Sequence, residues 1–227
     1  MCFSPSISLG TALFEFLTAA FVLMKMRRRP EKYFIALFLT LLGAYQLTEY
    51  SFCASGNKPF WAIGGFLVYT FLPPLGLHFI TKSARIKVNP ILWYLPAIGF
   101  SILALTASPF FYDGSCNRVF VFIRHIFFPW PELTSSSGAY WFYYLSYVFL
   151  AALLLVIFAI KDKEKDKRYL YWQLLSPTIL AIVPALILFG LAPSLRMVFP
   201  SMYCLFAAVY AVFVLWLVHK ESKRKAF

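Results

Sequence analysis

Gln46 and Glu49 lie near the end of an otherwise apolar stretch, YFIALFLTLLGAYQLTEYSFC, which covers residues 33–53. Their i, i+3 spacing places both side chains on one face of a helix. A carboxylate inside a membrane helix is a candidate functional group, because it can bind a cation or a proton there. The neighbouring amide can donate and accept hydrogen bonds to the same ligand. We therefore take Gln46 and Glu49 as the first candidates for a binding site.

Glu15 is the second carboxylate within an apolar stretch, and it lies about nine residues into the first one. Consecutive antiparallel helices are commonly neighbours, so Glu15 and Glu49 are expected to face one cavity. The helical rise predicts about 6 to 8 Å between them along the membrane normal. In the alternative interpretation, Glu49 reaches the membrane surface, or a carboxyl group only hydrogen-bonds a neighbouring helix. The candidate ligand- or ion-binding residues are Gln46, Glu49 and Glu15.

The four cysteines, Cys2, Cys53, Cys116 and Cys204, are all predicted in the outer half of the molecule. A disulfide is the ordinary expectation in an oxidising compartment. A bond between Cys53 and Cys116 would tie the long loop to the end of the second span, although spacing alone does not fix the pairing. A second interpretation joins Cys2 and Cys204 to Glu49 in a thiol, redox or metal site. No catalytic residue is assigned.

The three histidines do not form a metal site in this prediction. His78 falls near the inner end of the third span, His125 in the outer loop and His219 at the start of the tail. The sequence contains no HExxH motif and no pair of axial histidines within one bundle. We therefore predict no bound metal and no cofactor.

The composition is that of an integral membrane protein. Hydrophobic residues make up 61% of the chain, aromatic residues 20%, and the mean hydropathy is +0.74. Soluble globular domains contain roughly 45–50% apolar residues. The sequence therefore predicts an all-α, polytopic membrane protein.

Seven membrane spans account for the apolar stretches, and they form one transmembrane domain over residues 1–227. We place the spans at about 6–26, 33–53, 60–80, 90–106, 139–160, 169–192 and 197–218, with an outer loop at 107–138.

The basic residues predict the orientation of this seven-helix bundle. The connections and tail at 25–32, 82–87, 161–168 and 220–225 contain seventeen of the twenty-one Lys and Arg residues. Basic residues accumulate on the cytoplasmic side of membrane proteins. The N-terminus is therefore predicted outside and the C-terminus inside, in a cell membrane of the bacterial inner-membrane type. The formal net charge of +12 is then explained by anionic headgroups at the inner face, without a nucleic acid partner.

The long outer loop contains the apolar segment VFVFIRHIFFPWPEL, which is interrupted by Arg124 and His125. The segment is too short to cross a bilayer. We expect an interfacial or re-entrant piece over the outer mouth of the bundle. Such a piece is either a lid that controls ligand access or a passive cap.

Four short motifs carry a resemblance to a known family: MCFS at the start, QLTEY in the second span, FLPPLG in the third and PSMYCLFAAVYA in the last. Together they resemble an uncharacterised bacterial family of small multi-pass membrane proteins that begin Met-Cys-Phe-Ser. The family pattern in the second span is Gln-x-x-Glu followed by Gly and Trp. Gln46 and Glu49 match it, whereas Tyr50 replaces the Gly and the Trp is missing. The resemblance implies a family rather than an activity, and it groups Cys2 and Cys204 with the polar pair.

The sequence favours a binding module over an enzyme. The connections contain no output domain, so a sensor would need a partner membrane or signalling protein. The last span has no Lys for a retinal Schiff base, and the spans contain no Asp for a ceramidase-type zinc site. The leading hypothesis is a receptor-like or transport protein for a small ligand, cation or proton. The alternatives are a membrane-embedded enzyme that uses Cys and Glu, and a structural membrane component.

Overall fold

The computed structural model describes residues 5–26, 31–116, 121–127, 135–191 and 199–224. These residues are predominantly helical. The helices are α1 (Pro5–Lys25), α2 (Lys32–Ala54), α3 (Lys58–Thr70), α4 (Leu72–Ser83), α5 (Ile91–Thr106), α6 (Ser135–Lys161), α7 (Lys165–Leu191) and α8 (Phe199–Arg224). Two antiparallel strands, β1 (Phe111–Cys116) and β2 (Val121–His125), form a hairpin between α5 and α6.

Each predicted span overlaps a helix, and α3 and α4 together cover the third span. Within the described residues, three helical stretches are long and apolar enough to cross a membrane, judged by length and composition: Ser6–Lys25, Lys58–Ser83 and Gly138–Lys161. Ile91–Thr106 and Ala207–Lys220 are shorter apolar helical stretches. The structure thus shows a helical protein that is compatible with a membrane location.

The helices pack in a ring. α1 lies between α2 and α8, α7 contacts α8 and α6, and α6 packs on α4. α2 closes the ring through its contacts with α3 and α4, and α5 packs on the outside of these two helices. A large apolar cluster, with members such as Leu39, Leu155 and Val214, fills one half of the ring. An aromatic cluster around Phe66 and Tyr140 fills the half beneath the hairpin.

The seam between α1 and α2 follows a heptad-like spacing. Six buried residues along α1 and directly after it recur at alternating intervals of four and three: Ser8, Ala12, Glu15, Ala19, Val22 and Met26. Thr18 is buried as well. This spacing keeps one face of a helix against its partner. Gly43 of α2 permits the close approach, since a Cβ there would lie 3.2 Å from the Ala12 carbonyl oxygen and 3.0 Å from the Phe16 ring. Small residues at such positions let two membrane helices pack closely.

Pro73 and Pro74 divide the predicted third span into α3 and α4, with Phe71 between them. A proline in a helix has no N–H for the carbonyl four residues earlier, and its ring crowds that carbonyl. The Thr70 carbonyl is the one that Pro74 leaves without its helical donor. The Tyr143 hydroxyl donates to this oxygen at 2.8 Å. A side chain of α6 therefore supplies the hydrogen bond that the helix break removes.

The connection between α5 and α6 contains a β-hairpin, in the segment where we expected an interfacial or re-entrant piece. Burial alternates along β2: Val121 and His125 are buried, Ile123 is half-buried and Arg124 is exposed. This alternation is the period of a strand with one covered face. Pairing with β1 also gives the strand its backbone hydrogen bonds. Hydropathy alone did not predict the partner strand. The interfacial or re-entrant position of this segment stays a prediction.

Three kinds of contact hold the hairpin to the ends of α2 and α3. A disulfide joins Cys53 of α2 to Cys116 of β1, with 5.8 Å between their Cα atoms. Lys58 Nζ donates to the Gly114 carbonyl at 3.1 Å. Phe52 and Val121 are buried together in a small apolar cluster. A covalent bond across a separation of 63 residues contributes about 2–4 kcal/mol to stability.

Candidate functional site

A pocket lies between α2, α3 and α6, and β2 forms its fourth wall. The residues that line it include Thr48, Glu49 and His125, together with four tyrosines and two tryptophans. Water-sized groups can occupy about 40 Å³ of it. On this measure one water needs roughly 10–15 Å³, so the pocket holds a group of two or three heavy atoms.

Most of the pocket wall is aromatic. Helical spacing brings these rings inward, because residues three and four apart share a face of a helix. The aromatic lining residues are Tyr45 of α2, Trp61, Phe66 and Tyr69 of α3, and Tyr140, Trp141 and Tyr144 of α6. Tyr45 and Tyr69 meet edge to face with ring centroids 5.7 Å apart. The pocket is thus a set of rings around one acidic side chain.

Glu49 is the acidic side chain of the pocket, and only 2% of its surface is exposed. The side chains of Tyr45 and Ser8 lie near its carboxyl group, but Ser8 Oγ has no hydrogen-bond partner within the described residues. Tyr45 is one turn earlier on α2, whereas Ser8 belongs to the facing seam of α1. Glu49 therefore stands where the α1–α2 seam meets the aromatic pocket.

Gln46 and Glu15 are buried in the α1–α2 seam and do not line this pocket. Gly43 faces Ala12 and Phe16, and Ser8 lies beside Glu49. This antiparallel register puts Glu15 near the level of Leu42, which is about 10 Å below Glu49 on the helical rise. The separation exceeds the 6 to 8 Å expected from the sequence. Within the described residues, neither carboxyl oxygen of Glu15 has a hydrogen-bond partner.

His125 closes the pocket from the hairpin. The Phe127 backbone N–H donates to its Nδ1 at 3.3 Å, so the proton of the neutral ring is assigned to Nε2. Nε2 lies 3.4 Å from the Tyr69 hydroxyl. The ring also stacks on Phe110, with centroids 4.9 Å apart. Burial lowers the pKa of His125 to about 3, so the imidazole is neutral at physiological pH.

A hydroxyl network surrounds the break between α3 and α4. The Thr70 hydroxyl lies 3.0 Å from the Tyr140 hydroxyl, and Tyr143 donates to the Thr70 carbonyl. Tyr140 lines the pocket, and its ring packs 6.2 Å from that of Tyr69. The helix break, the pocket wall and His125 are therefore connected through adjoining tyrosines.

The cysteines divide into two groups. Cys53 and Cys116 form the disulfide that anchors the hairpin. Cys2 lies outside the described residues, and Cys204 belongs to α8 but its side chain lies outside the described part. A shared site of Cys2, Cys204 and Glu49 therefore stays a prediction. Among the residues that the structure describes, no group of three or more His, Cys, Asp or Glu side chains could hold a metal ion.

The sequence interpretation did not include the aromatic wall of the pocket. Its signal lies in the segments FWAIGGFLVYT and AYWFYYLSY, where aromatic residues recur at helical spacing. Such recurrence is also common in apolar cores. Only the position of Glu49 opposite these two segments makes the rings a candidate site.

Comparison with known proteins does not identify a function for this protein. No protein-family model, curated protein or solved structure matches this chain.

Proposed function

We propose that this protein is a seven-helix integral membrane protein that binds a small cation in an outward-facing pocket, as a receptor-like or transport module. The N-terminus is outside and the C-terminus is inside in this proposal. The observation that carries it is the single carboxyl group of Glu49 within a pocket whose walls are mainly aromatic.

The membrane orientation is supported by the distribution of charge and apolar surface. α2 begins beside the basic segment 25–32 and ends at the disulfide that holds the hairpin. The hairpin therefore lies at the end of α2 opposite to that basic segment. α5 exposes large apolar side chains along its length, including Ile91, Leu95 and Ile102. A surface of this kind fits lipid tails better than water.

Glu49 supports cation binding through its charge and its surroundings. A carboxyl group attracts a cation, and the pocket also contains the hydroxyl-bearing residues Thr48, Tyr69 and Tyr140, whose oxygen atoms can serve as further ligands. Thiol chemistry finds no support at Cys53 or Cys116, because both sulfurs are in the disulfide. Binding is therefore the function that the described site supports best.

The test is cation binding by the purified full chain in lipid nanodiscs. Sodium, potassium and methylammonium are titrated by calorimetry against the unmodified protein and Glu49→Gln. We expect the unmodified protein to bind at least one of them, and Glu49→Gln to bind it at least 10-fold more weakly. Glu164→Gln is the matched control, because it removes a carboxylate that is exposed and paired with Lys167 at 2.9 Å.

Retention of native thermal stability by Glu49→Gln is required before its affinity is interpreted. Equal affinities of the unmodified protein and Glu49→Gln would overturn the proposal. Absence of binding for all three cations would overturn it as well.

A further inference from the structure

Basic and aromatic side chains line a cleft where the start of α7 meets the end of α8. The cleft has a volume of about 410 Å³, which is within the range of roughly 300–1,000 Å³ that is usual for small-molecule sites. Three of its five described lining residues are cationic and two are aromatic: Lys165, Arg168 and Lys220, with Tyr169 and Trp172. The cleft shares no described lining residue with the Glu49 pocket.

The spacing of residues along α7 builds one wall of this cleft. The four lining residues of α7 occupy positions i, i+3, i+4 and i+7, counted from Lys165 to Trp172. Residues with this spacing share one face of a helix. The fifth, Lys220, comes from α8, and its Nζ lies over the Tyr169 ring, 4.4 Å from the centroid. Two helices therefore form the cleft together.

The cationic side chains retain donors for an anion. Lys220 Nζ uses one of its three N–H groups on the Tyr169 hydroxyl, and it also lies 5.1 Å from the centroid of the Trp216 ring. Within the part of the chain that the structure describes, the side chains of Lys165 and Arg168 form no hydrogen bond and no ion pair. A guanidinium group presents a planar fork of N–H donors that matches the oxygens of a phosphate. Three cations can therefore donate to one anionic group.

The acidic residues of the same segments do not cancel this positive charge. Segments 161–168 and 219–225 contain nine Lys or Arg residues and four Asp or Glu residues. The two segments therefore keep a net formal charge of +5 even when every acidic side chain is counted. Glu164 pairs with Lys167 at 2.9 Å, and this lysine does not line the cleft. The charge of this region favours an anionic ligand.

Two tryptophans indicate that the cleft lies at a membrane surface. Trp172 and Trp216 have 47% and 49% of their surface exposed. Tryptophan is enriched at the interface between the hydrocarbon core and the headgroups. Lys165 begins α7, and Trp172 lies about 10 Å further along the helix. The basic groups are therefore on the headgroup side of the tryptophans, at the end of the helices that is proposed to face the cytoplasm.

We propose that this cleft binds the headgroup phosphate of one anionic phospholipid of the inner leaflet. Arg168, Lys165 and Lys220 donate to the phosphate oxygens, as in other charge-assisted hydrogen bonds. The acyl chains extend past Trp172 towards the hydrocarbon core, which favours a lipid over a free phosphate. A defined site of this kind goes beyond the general attraction of basic segments to the membrane surface. The inference relies on the proposed membrane location but not on cation binding at Glu49.

The test is binding of soluble short-chain lipids to the purified full chain in a nonionic detergent, measured by calorimetry. We expect dihexanoylphosphatidylglycerol to bind at one saturable site. Dihexanoylphosphatidylcholine should bind about 10-fold more weakly, because its choline group cancels the charge of the phosphate. Glycerol 3-phosphate should also bind more weakly, because it has no acyl chain to lie against Trp172.

Charge-removing variants locate the site. Arg168→Gln and Lys220→Gln should each weaken phosphatidylglycerol binding about 5-fold, the effect of one basic residue near a membrane surface. Lys87→Gln is the matched control, because Lys87 is an exposed lysine on the same proposed side of the membrane and lies outside the cleft. This control should change the affinity little.

The outcomes separate this inference from the proposed function. Absence of saturable phosphatidylglycerol binding overturns the site, and so does equal weakening by Lys87→Gln and Arg168→Gln. Glycerol 3-phosphate that binds as tightly as the lipid overturns the assignment to a lipid. Glu49→Gln should leave phosphatidylglycerol binding unchanged while it weakens cation binding, so the two proposals fail separately. Selective phosphatidylglycerol binding that depends on Arg168 and Lys220 but not on Lys87 supports the lipid site.

Discussion

His125 couples the hairpin to the pocket through a neutral, buried imidazole. Its Nδ1 accepts the Phe127 N–H, and its Nε2 meets the Tyr69 hydroxyl. Protonation would add a hydrogen to Nδ1, so that Nδ1 could no longer accept the hydrogen bond from the Phe127 N–H. Burial opposes the charge as well, and the pKa of His125 falls to about 3. The hairpin contact is therefore sensitive to acid.

We expect His125 to make the folded state less stable as the pH falls from about 6.5 towards 3. In that range the unfolded chain binds a proton at this residue and the folded chain does not. The His125 contribution is fully present above about pH 6.5 and decreases by about 1.4 kcal/mol per pH unit below it. On acidification from pH 7 to pH 5, the free energy of unfolding should therefore fall less in His125→Phe than in the unmodified protein. The difference between the two decreases should be about 2 kcal/mol.

Thermal unfolding in detergent at pH 7 and pH 5 measures this difference. His219→Gln is the control, because it removes a histidine that is exposed on α8 and lies outside the pocket. An identical pH dependence in His125→Phe and the unmodified protein would show that the imidazole is not buried as a neutral group.

The sequence predicted the location of some polar residues better than that of others. Glu49 stands out because a carboxyl group is rare within an apolar helix, and the structure places it in a pocket. Gln46 and Glu15 stand out for the same reason, yet they occupy heptad positions of the α1–α2 seam. The register of that seam depends on the close approach at Gly43. A helical rise alone cannot supply this register, so the predicted distance was too short.

At the scale of elements, the break between α3 and α4 is stabilised from outside its own helix. Tyr143 donates to the Thr70 carbonyl, and Tyr140 meets the Thr70 hydroxyl. The two prolines predict a disturbance in this span, because neither can donate the helical hydrogen bond. Their partner helix cannot be predicted from the prolines, since the donor is more than seventy residues away in the sequence.

We expect Tyr143→Phe and Pro74→Ala to be energetically coupled. Tyr143→Phe leaves the buried Thr70 carbonyl without a donor, which costs about 1–3 kcal/mol. Pro74→Ala restores an N–H that can donate to that carbonyl in a regular helix. The cost of Tyr143→Phe should therefore be smaller by about 1 kcal/mol in the Pro74→Ala background.

A double-mutant cycle on thermal unfolding measures the coupling. Tyr147→Phe serves as the control in both backgrounds, because Tyr147 lies one turn further along α6 and packs on Trp93. If Tyr143→Phe costs the same with and without Pro74, its hydroxyl does not replace the missing helical donor.

The hairpin could not be predicted from hydrophobicity alone. Its segment is apolar and lies between two predicted membrane spans, so a window average of hydropathy favours membrane burial. The deciding features are the alternation in β2 and the pairing with β1, reinforced by the Cys53–Cys116 bond. The Cys53–Cys116 bond was one of the alternatives that the sequence left open. The pairing of β2 with β1 was not predicted, because hydropathy does not encode contacts between strands. Whether the hairpin is a lid or a passive cap stays a prediction.

At the scale of the whole molecule, composition and periodicity were sufficient to predict helices, and each predicted span overlaps one. The ring order was not predictable in the same way, because α1 contacts both its sequence neighbour and α8. Which helices meet depends on small residues and aromatic contacts across the ring. The proposed orientation in a membrane is inferred from the positions of the basic residues and not from helix packing. It therefore needs a separate test.

Reporter fusions test the proposed orientation of the full molecule. A fluorescent reporter after Phe227 should be cytoplasmic, because the basic tail is proposed inside. A phosphatase that works only after export should be active when fused after Gly56, between α2 and α3, and inactive after Lys87, between α4 and α5. The two sites are matched because both are exposed connections on either side of the same helix pair. Activity after Lys87 with none after Gly56 would invert the protein and place the Glu49 pocket on the inner side.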